Sequence, residues 1–329
     1  LYFFGGSDET VEYARQFMEI ILLGNVVTHL YLGLNAVLRA SGHPKQAMYA
    51  TIATVAINTI LAPIFIFMFD WGIRGAAIAT VSAQVIALLW QLKQFNNANE
   101  LLHFRRGIFR LKRKIVFDSL AIGMSPFLMN LAACLIVILI NQGLKKYGGD
   151  LAIGAFGIVN RLVFIVVMIV MGLNQGMQPI AGYNFGAKLY DRVNKVLKLT
   201  IIYATCVTTF GFLVGMLAPN LVVGIFTSDA ELTELSATGL RITVMFFPII
   251  GFQMVTSNFF QSIGMAGKAI FLSLTRQMLI LLPCLLILPH FFGVAGVWYS
   301  MPVSDLLASL IALVMLVYQF RKFKTAAAH

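Results

Sequence analysis

Nine long apolar blocks constrain what this chain can fold into more than any other feature. They lie near Tyr13 to Leu38, Ala47 to Phe69, Gly75 to Trp90, Ile115 to Leu144, Leu151 to Ile180, Val196 to Leu217, Ser236 to Ile263, Ala269 to Leu288 and Val294 to Phe320. Most meet or exceed the roughly 18 residues that carry a helix across a bilayer. With 59% hydrophobic and 11% charged residues, the chain lacks the polar surface of a soluble domain. Membrane strands would alternate polar and apolar residues over about ten positions, and these blocks do not alternate. The expected fold is an all-α, polytopic helical bundle embedded in lipid.

A formal net charge of +11 raises nucleic acid as a partner, so the location of the positive residues decides. They alternate between loops. The segments Arg39 to Lys45, Lys93 to Lys114, Lys188 to Lys198, Lys268 to Arg276 and Arg321 to Lys324 hold 18 Lys and Arg; the opposite side holds five, Arg15, Arg74, Lys145, Lys146 and Arg241. Positive residues gather on the cytoplasmic side of inner-membrane proteins. The chain therefore reads as starting outside and ending in the cytoplasm of a bacterial inner membrane. Topology and anionic headgroups account for the basic excess, leaving nothing that calls for nucleic acid. Cys134, Cys206 and Cys284 all sit within apolar blocks, as small packing residues do. Residues 326–329 read as a tag remnant.

An internal repeat is visible. Ser7 and Asp8 match Ser228 and Asp229 at a spacing of 221, Gly72 and Gly75 match Gly293 and Gly296 at the same spacing, and Gly42 matches Gly264 at 222. Two related halves are common in transporters. At this spacing the block from Asp118 to Phe226 has no partner after Leu1, so the expectation is nine visible spans of twelve, in two pseudo-symmetric six-helix halves, with about a hundred residues preceding Leu1. Residues 1–92 are then the last three helices of the first half, 93–114 a basic cytoplasmic linker, and 115–325 the complete second half.

Three motifs carry a family resemblance. The stretch Gly172-Leu173-Asn174-Gln175-Gly176-Met177-Gln178-Pro179-Ile180-Ala181-Gly182-Tyr183-Asn184-Phe185-Gly186-Ala187, the loop Leu38-Arg39-Ala40-Ser41-Gly42-His43-Pro44-Lys45, and the turn Gly72-Ile73-Arg74-Gly75-Ala76-Ala77 resemble the multidrug and toxic compound extrusion (MATE) family, in its prokaryotic DNA-damage-inducible and multidrug-exporter branch. Physically, Gly172 and Gly176 form a small-x-x-x-small pair that would let helices approach, and Pro179 would break its helix near the cytoplasmic end. The resemblance implies two six-helix bundles around a central cavity. It also implies export of lipophilic, often cationic compounds in exchange for H+ or Na+, without cofactor, metal or obligate protein partner. The family's helix-five motif of Asn, two residues, Leu, Asp, Pro reads here Asn58-Thr59-Ile60-Leu61-Ala62-Pro63, with Ala62 in place of the acid.

Ionisable residues inside spans are functional candidates by default. Asp305 lies about 17 Å into the last block at 1.5 Å per residue, and Arg161 stands at similar depth in the fifth. They read either as a fixed ion pair or as a coupling acid with its neighbour. His29 is a candidate proton relay or a hydrogen-bonded interior residue. Asn58, Asn130, Asn174, Gln175, Gln253 and Asn258 are neutral amides suited to helix contacts or a cavity wall, whereas Gly172, Gly176, Pro179, Gly182, Asn184 and Gly186 read as structural. Phe246, Phe247, Phe252, Phe259 and Phe260 could face cationic ligands or simply pack. Two other readings stand beside the exporter. A lipid-linked oligosaccharide flippase of the same superfamily would need cations lining its cavity, of which only Arg161 is in view. A membrane-embedded enzyme would need a catalytic constellation, and no such spacing exists.

Overall fold

The structure, a computed structural model, describes residues 8–97, 102–104, 107 and 111–327. Among the described residues all regular structure is helical. The chain divides into two compact units, Leu1–Leu111 and Lys112–His329. Ser7, Arg105, Arg106, Arg110 and the terminal Ala328 and His329 lie outside the described residues, so part of the repeat match and of the basic linker does too.

The first unit contains α1 (Asp8–Leu23), α2 (Asn25–Ala40), α3 (Pro44–Pro63), a π-helical turn at Ile64–Met68 and α4 (Gly72–Phe95). The second contains α5 (Arg113–Gly186), α6 (Tyr190–Leu217), the short α7 (Pro219–Val223), α8 (Ala230–Val244), α9 (Phe247–Ser262), α10 (Ala266–Leu274), a π-helical segment Thr275–Leu281, α11 (Leu282–Phe292) and α12 (Val294–Ala327). A straight helix as long as α5 would measure about 110 Å at 1.5 Å per residue, far more than a bilayer. It is interrupted at Gly149, whose φ of 67° and ψ of −164° lie in a region essentially reserved for glycine. The break falls between the fourth and fifth apolar blocks. Six described helices are long and apolar enough to cross a membrane, or eight if each bent pair counts as one crossing. Leu23 (84% exposed), Leu217 (80%) and Phe67 (78%) give these units a surface that suits lipid.

Positions paired in the sequence share backbone geometry. Gly42 (φ 89°) and Gly264 (φ 76°) are left-handed, as are Gly72 (φ 51°) and Gly293 (φ 57°). Gly42 and Gly264 close their helices in the same way: His43 N–H donates to Leu38 O and Met265 N–H to Phe260 O, each at 2.9 Å. These are six-to-one bonds of the motif that favours glycine after a helix end. Lys188 (φ 59°) fills the same role after α5, where Leu189 N–H donates to Asn184 O at 2.9 Å. The bend between the first two helices is 55°, and that between α8 and α9 is 54°.

The core of the second unit forms two clusters. One joins Ile136, Leu144, Phe156 and Val159 of α5 to Leu240, Phe247 and Trp298. The other packs Met177, Leu197, Phe259, Phe260 and Leu316. Phe247, Phe259 and Phe260 are therefore core residues, and Phe260 also carries the Lys268 ammonium 5.3 Å from its ring centre. Phe259 and Phe260 pack within the core, whereas Phe247 also lines a cavity. Cys134, Cys206 and Cys284 are free thiols.

Candidate functional site

Polar groups converge in the second unit. A cavity of about 190 Å³ lies among α5, α8, α9, the π-helical segment and α12. On α5 its wall is two stripes, Ala133, Ile136, Val137 and Ile140 before the Gly149 break and Phe156, Val159, Asn160 and Val163 after it, each with the spacing of one helical face. Thr243 and Phe247 come from either side of the α8–α9 bend, Arg276 and Gln277 from the π-helical segment, and Ser304 and Asp305 from α12. Asp305 is 3% exposed, and its Oδ1 accepts a 2.6 Å hydrogen bond from Arg276 Nε. Arg276 is 32% exposed. A carboxylate in an apolar interior needs such a partner, because an unpaired buried charge is far more costly than a paired one. The π-helical segment brings Arg276 and the adjacent Gln277 to one wall; wide turns of this kind are rare and frequently mark functional sites.

Arg161 is not the partner of Asp305. It follows Asn160 by one residue, about 100° around α5, which takes it off the cavity stripe and leaves it exposed. Equal depth in the sequence says nothing about rotation around the helix, and rotation separates the two residues. Arg276, which the charge count groups with the loop cations, instead stands inside the eighth apolar block. Asn160, Thr243, Gln277 and Ser304 are also cavity residues that sequence reasoning passes over. Neutral polar groups carry no distinguishing pattern there, though a charge within an apolar run was a usable signal for Arg276.

The other candidates do not gather at this cavity. Asn58 Nδ2 donates to Thr80 Oγ1 at 3.0 Å within the first unit, and His29 lies on an exposed face of α2. Asn130 Nδ2 donates to Pro126 O, one turn back on its own helix, at 2.9 Å. Asn258 accepts from Gln178 Nε2 at 3.2 Å and donates to Met254 O at 3.0 Å, joining α5 to α9. Gln175 is exposed and Gln253 buried. Asn174 is buried with neither amide atom hydrogen-bonded.

Two structural expectations for the long motif are corrected. Pro179 does not end its helix, which continues to Gly186. One missing N–H and one displaced carbonyl kink a helix without ending it when the following residues keep helical geometry. Among the described residues no helix packs on Gly172 or Gly176, since a Cβ on either meets nothing within 4 Å, and the same holds at Gly186. Gly182 makes the close approach: a Cβ there would lie 2.9 Å from Ser262 O. Asn184 Nδ2 donates to Ile180 O at 2.8 Å, bracing that last turn. Gly182→Ala should accordingly destabilise the protein by about 1–3 kcal/mol through overpacking, and Gly172→Ala should leave the melting temperature in detergent unchanged or slightly raised. Equal losses in the two variants would contradict this assignment.

The chain matches the MatE family model over residues 1–64 and 122–286. It is 28% identical over 321 residues to the multidrug export protein MepA of Staphylococcus aureus, covering 96% of this chain and 69% of the relative. The Staphylococcus haemolyticus protein of that name is 28% identical over 319 residues, with the same coverage. Among solved structures, the MATE multidrug transporter DinF-BH in complex with R6G superposes with a TM-score of 0.87 at 34% identity, over 96% of this chain and 71% of that one. A MOP superfamily transporter from Pyrococcus furiosus shares the fold, with a TM-score of 0.90 at 22% identity over 97% and 72%. Family match, resemblance to exporters over 96% of the chain and the shared helical fold together make this chain an integral membrane protein of the MatE family, a transporter and not an enzyme.

Proposed function

We propose that the protein exports lipophilic, often cationic compounds across a bacterial inner membrane in exchange for H+ or Na+, without cofactor or metal. The observation that carries this reading is the 28% identity spread over 96% of the chain to proteins named for multidrug export. The excess of Lys and Arg in alternate loops supports a cytoplasmic C-terminus. The flippase reading gains little, because Arg276 is paired with Asp305 and a pyrophosphate would require a surplus of cations.

The test is efflux. Expressed in a bacterial strain stripped of its own drug exporters, the protein should lower steady-state accumulation of R6G several-fold. A protonophore should abolish that difference if H+ is exchanged, and removal of external Na+ should do so if Na+ is. Accumulation equal to that of empty-vector cells, with the protein present in the membrane, would overturn the proposal.

A further inference from the structure

The cavity of the second unit has features that ion pairing alone leaves unexplained. Arg276 uses only Nε on Asp305, and its guanidinium, one-third exposed, retains four further N–H donors. Gln277 Oε1 is buried with no hydrogen-bond partner, although an unsatisfied buried acceptor is costly. Both residues sit on the π-helical segment. The rest of the wall is largely apolar, with Phe156, Phe247 and Met301 among its members.

From these residues we infer that the cavity is a binding site for an aromatic carboxylate, the anionic group on the Arg276 guanidinium and the ring against Phe156, Phe247 and Met301. The sign of the ligand follows from the unequal exposure of the pair. Asp305 is almost fully buried and Arg276 is not, so what faces the cavity is the cation of a neutral pair. An ammonium ligand would first have to separate Asp305 from Arg276, whereas a carboxylate adds to the guanidinium already held there. Planar guanidinium and planar carboxylate match in geometry. Size agrees: an apolar cavity of about 150 Å³ holds benzene, so one of about 190 Å³ has room for a small aromatic acid. The inference rests on the export reading for its purpose, and names a substrate class for this one site.

The purified protein in detergent is dialysed against radiolabelled benzoate, with unlabelled benzamide and benzylammonium as competitors. We expect saturable binding of the carboxylate, at least about tenfold stronger than that of either competitor, as charge-assisted hydrogen bonds imply. Arg276→Gln combined with Asp305→Asn removes both charges together and should weaken binding at least about tenfold. If that variant does not give a monodisperse gel-filtration peak, Arg276→Lys, which keeps the charge and loses the fork, should weaken it several-fold. Absence of saturable binding, an ammonium that competes as well as the acid, or undiminished binding by the variant would overturn the site. R6G efflux measured on the same wild-type protein separates this from the export reading. Efflux without carboxylate binding removes only the site, and carboxylate binding without efflux removes only the export reading.

Discussion

Arg276→Gln alone should cost the protein about 3–5 kcal/mol of stability, the usual penalty for stranding one member of a buried ion pair. Asp305 is 3% exposed and Arg276 Nε lies 2.6 Å from its carboxylate, so the variant leaves a buried negative charge without its counter-charge. The consequence should be visible as lower yield and an earlier thermal transition by fluorescence gel filtration. Adding Asp305→Asn should recover at least half of the loss, because two neutral amides of similar shape can satisfy one another. A double variant as unstable as Arg276→Gln would mean that the arginine stem, not its charge, holds the site together.

Gly296→Ala should be comparably damaging for a different reason. A Cβ at Gly296 would lie 2.3 Å from Leu288 O, 2.5 Å from Leu288 C and 2.6 Å from Pro289 N. All three contacts are backbone, and no rotamer change relieves them. Overpacking commonly costs about 1–3 kcal/mol and more where nothing can yield, so we expect at least about 3 kcal/mol and a loss of most folded protein. Gly293→Ala, three residues earlier, meets no neighbour but must hold a φ of 57° with a ψ of −133°, which costs about 1–3 kcal/mol. Thermal melting of the two variants side by side should rank Gly296 as the more sensitive. The reverse order would show that the turn, not the contact between α11 and α12, limits this corner.

The helical class was legible because lipid imposes it: apolar stretches of this length leave no other satisfied backbone. Gly42, Gly72, Gly264 and Gly293 were legible as turns, since left-handed backbone favours glycine. What the sequence concealed was rotation about helix axes. Arg161 and Asp305 occupy similar depths and point to different surroundings, and Gly172 and Gly182 look alike in a motif although only Gly182 touches another helix. The π-helical segment was equally hidden. An extra residue in one turn leaves no signature in composition, yet it decides that Arg276 and Gln277 share a wall.

The matched corners of the two units act as an internal control on the charged pair. Carrying the spacing of Gly75 and Gly296 along α12 places Asp305 opposite Gln84, and the spacing of Gly42 and Gly264 places Arg276 opposite Thr54. Both counterparts are neutral and occupied: Gln84 Oε1 accepts from Thr28 Oγ1, and Thr54 Oγ1 donates to Ala50 O at 2.8 Å. The same bends and left-handed glycines thus coexist with an uncharged pair of positions in the first unit and an ion pair in the second. The left-handed turns of these corners therefore form without a charged pair beside them, and the cost of burying the guanidinium and carboxylate is borne by the second unit alone.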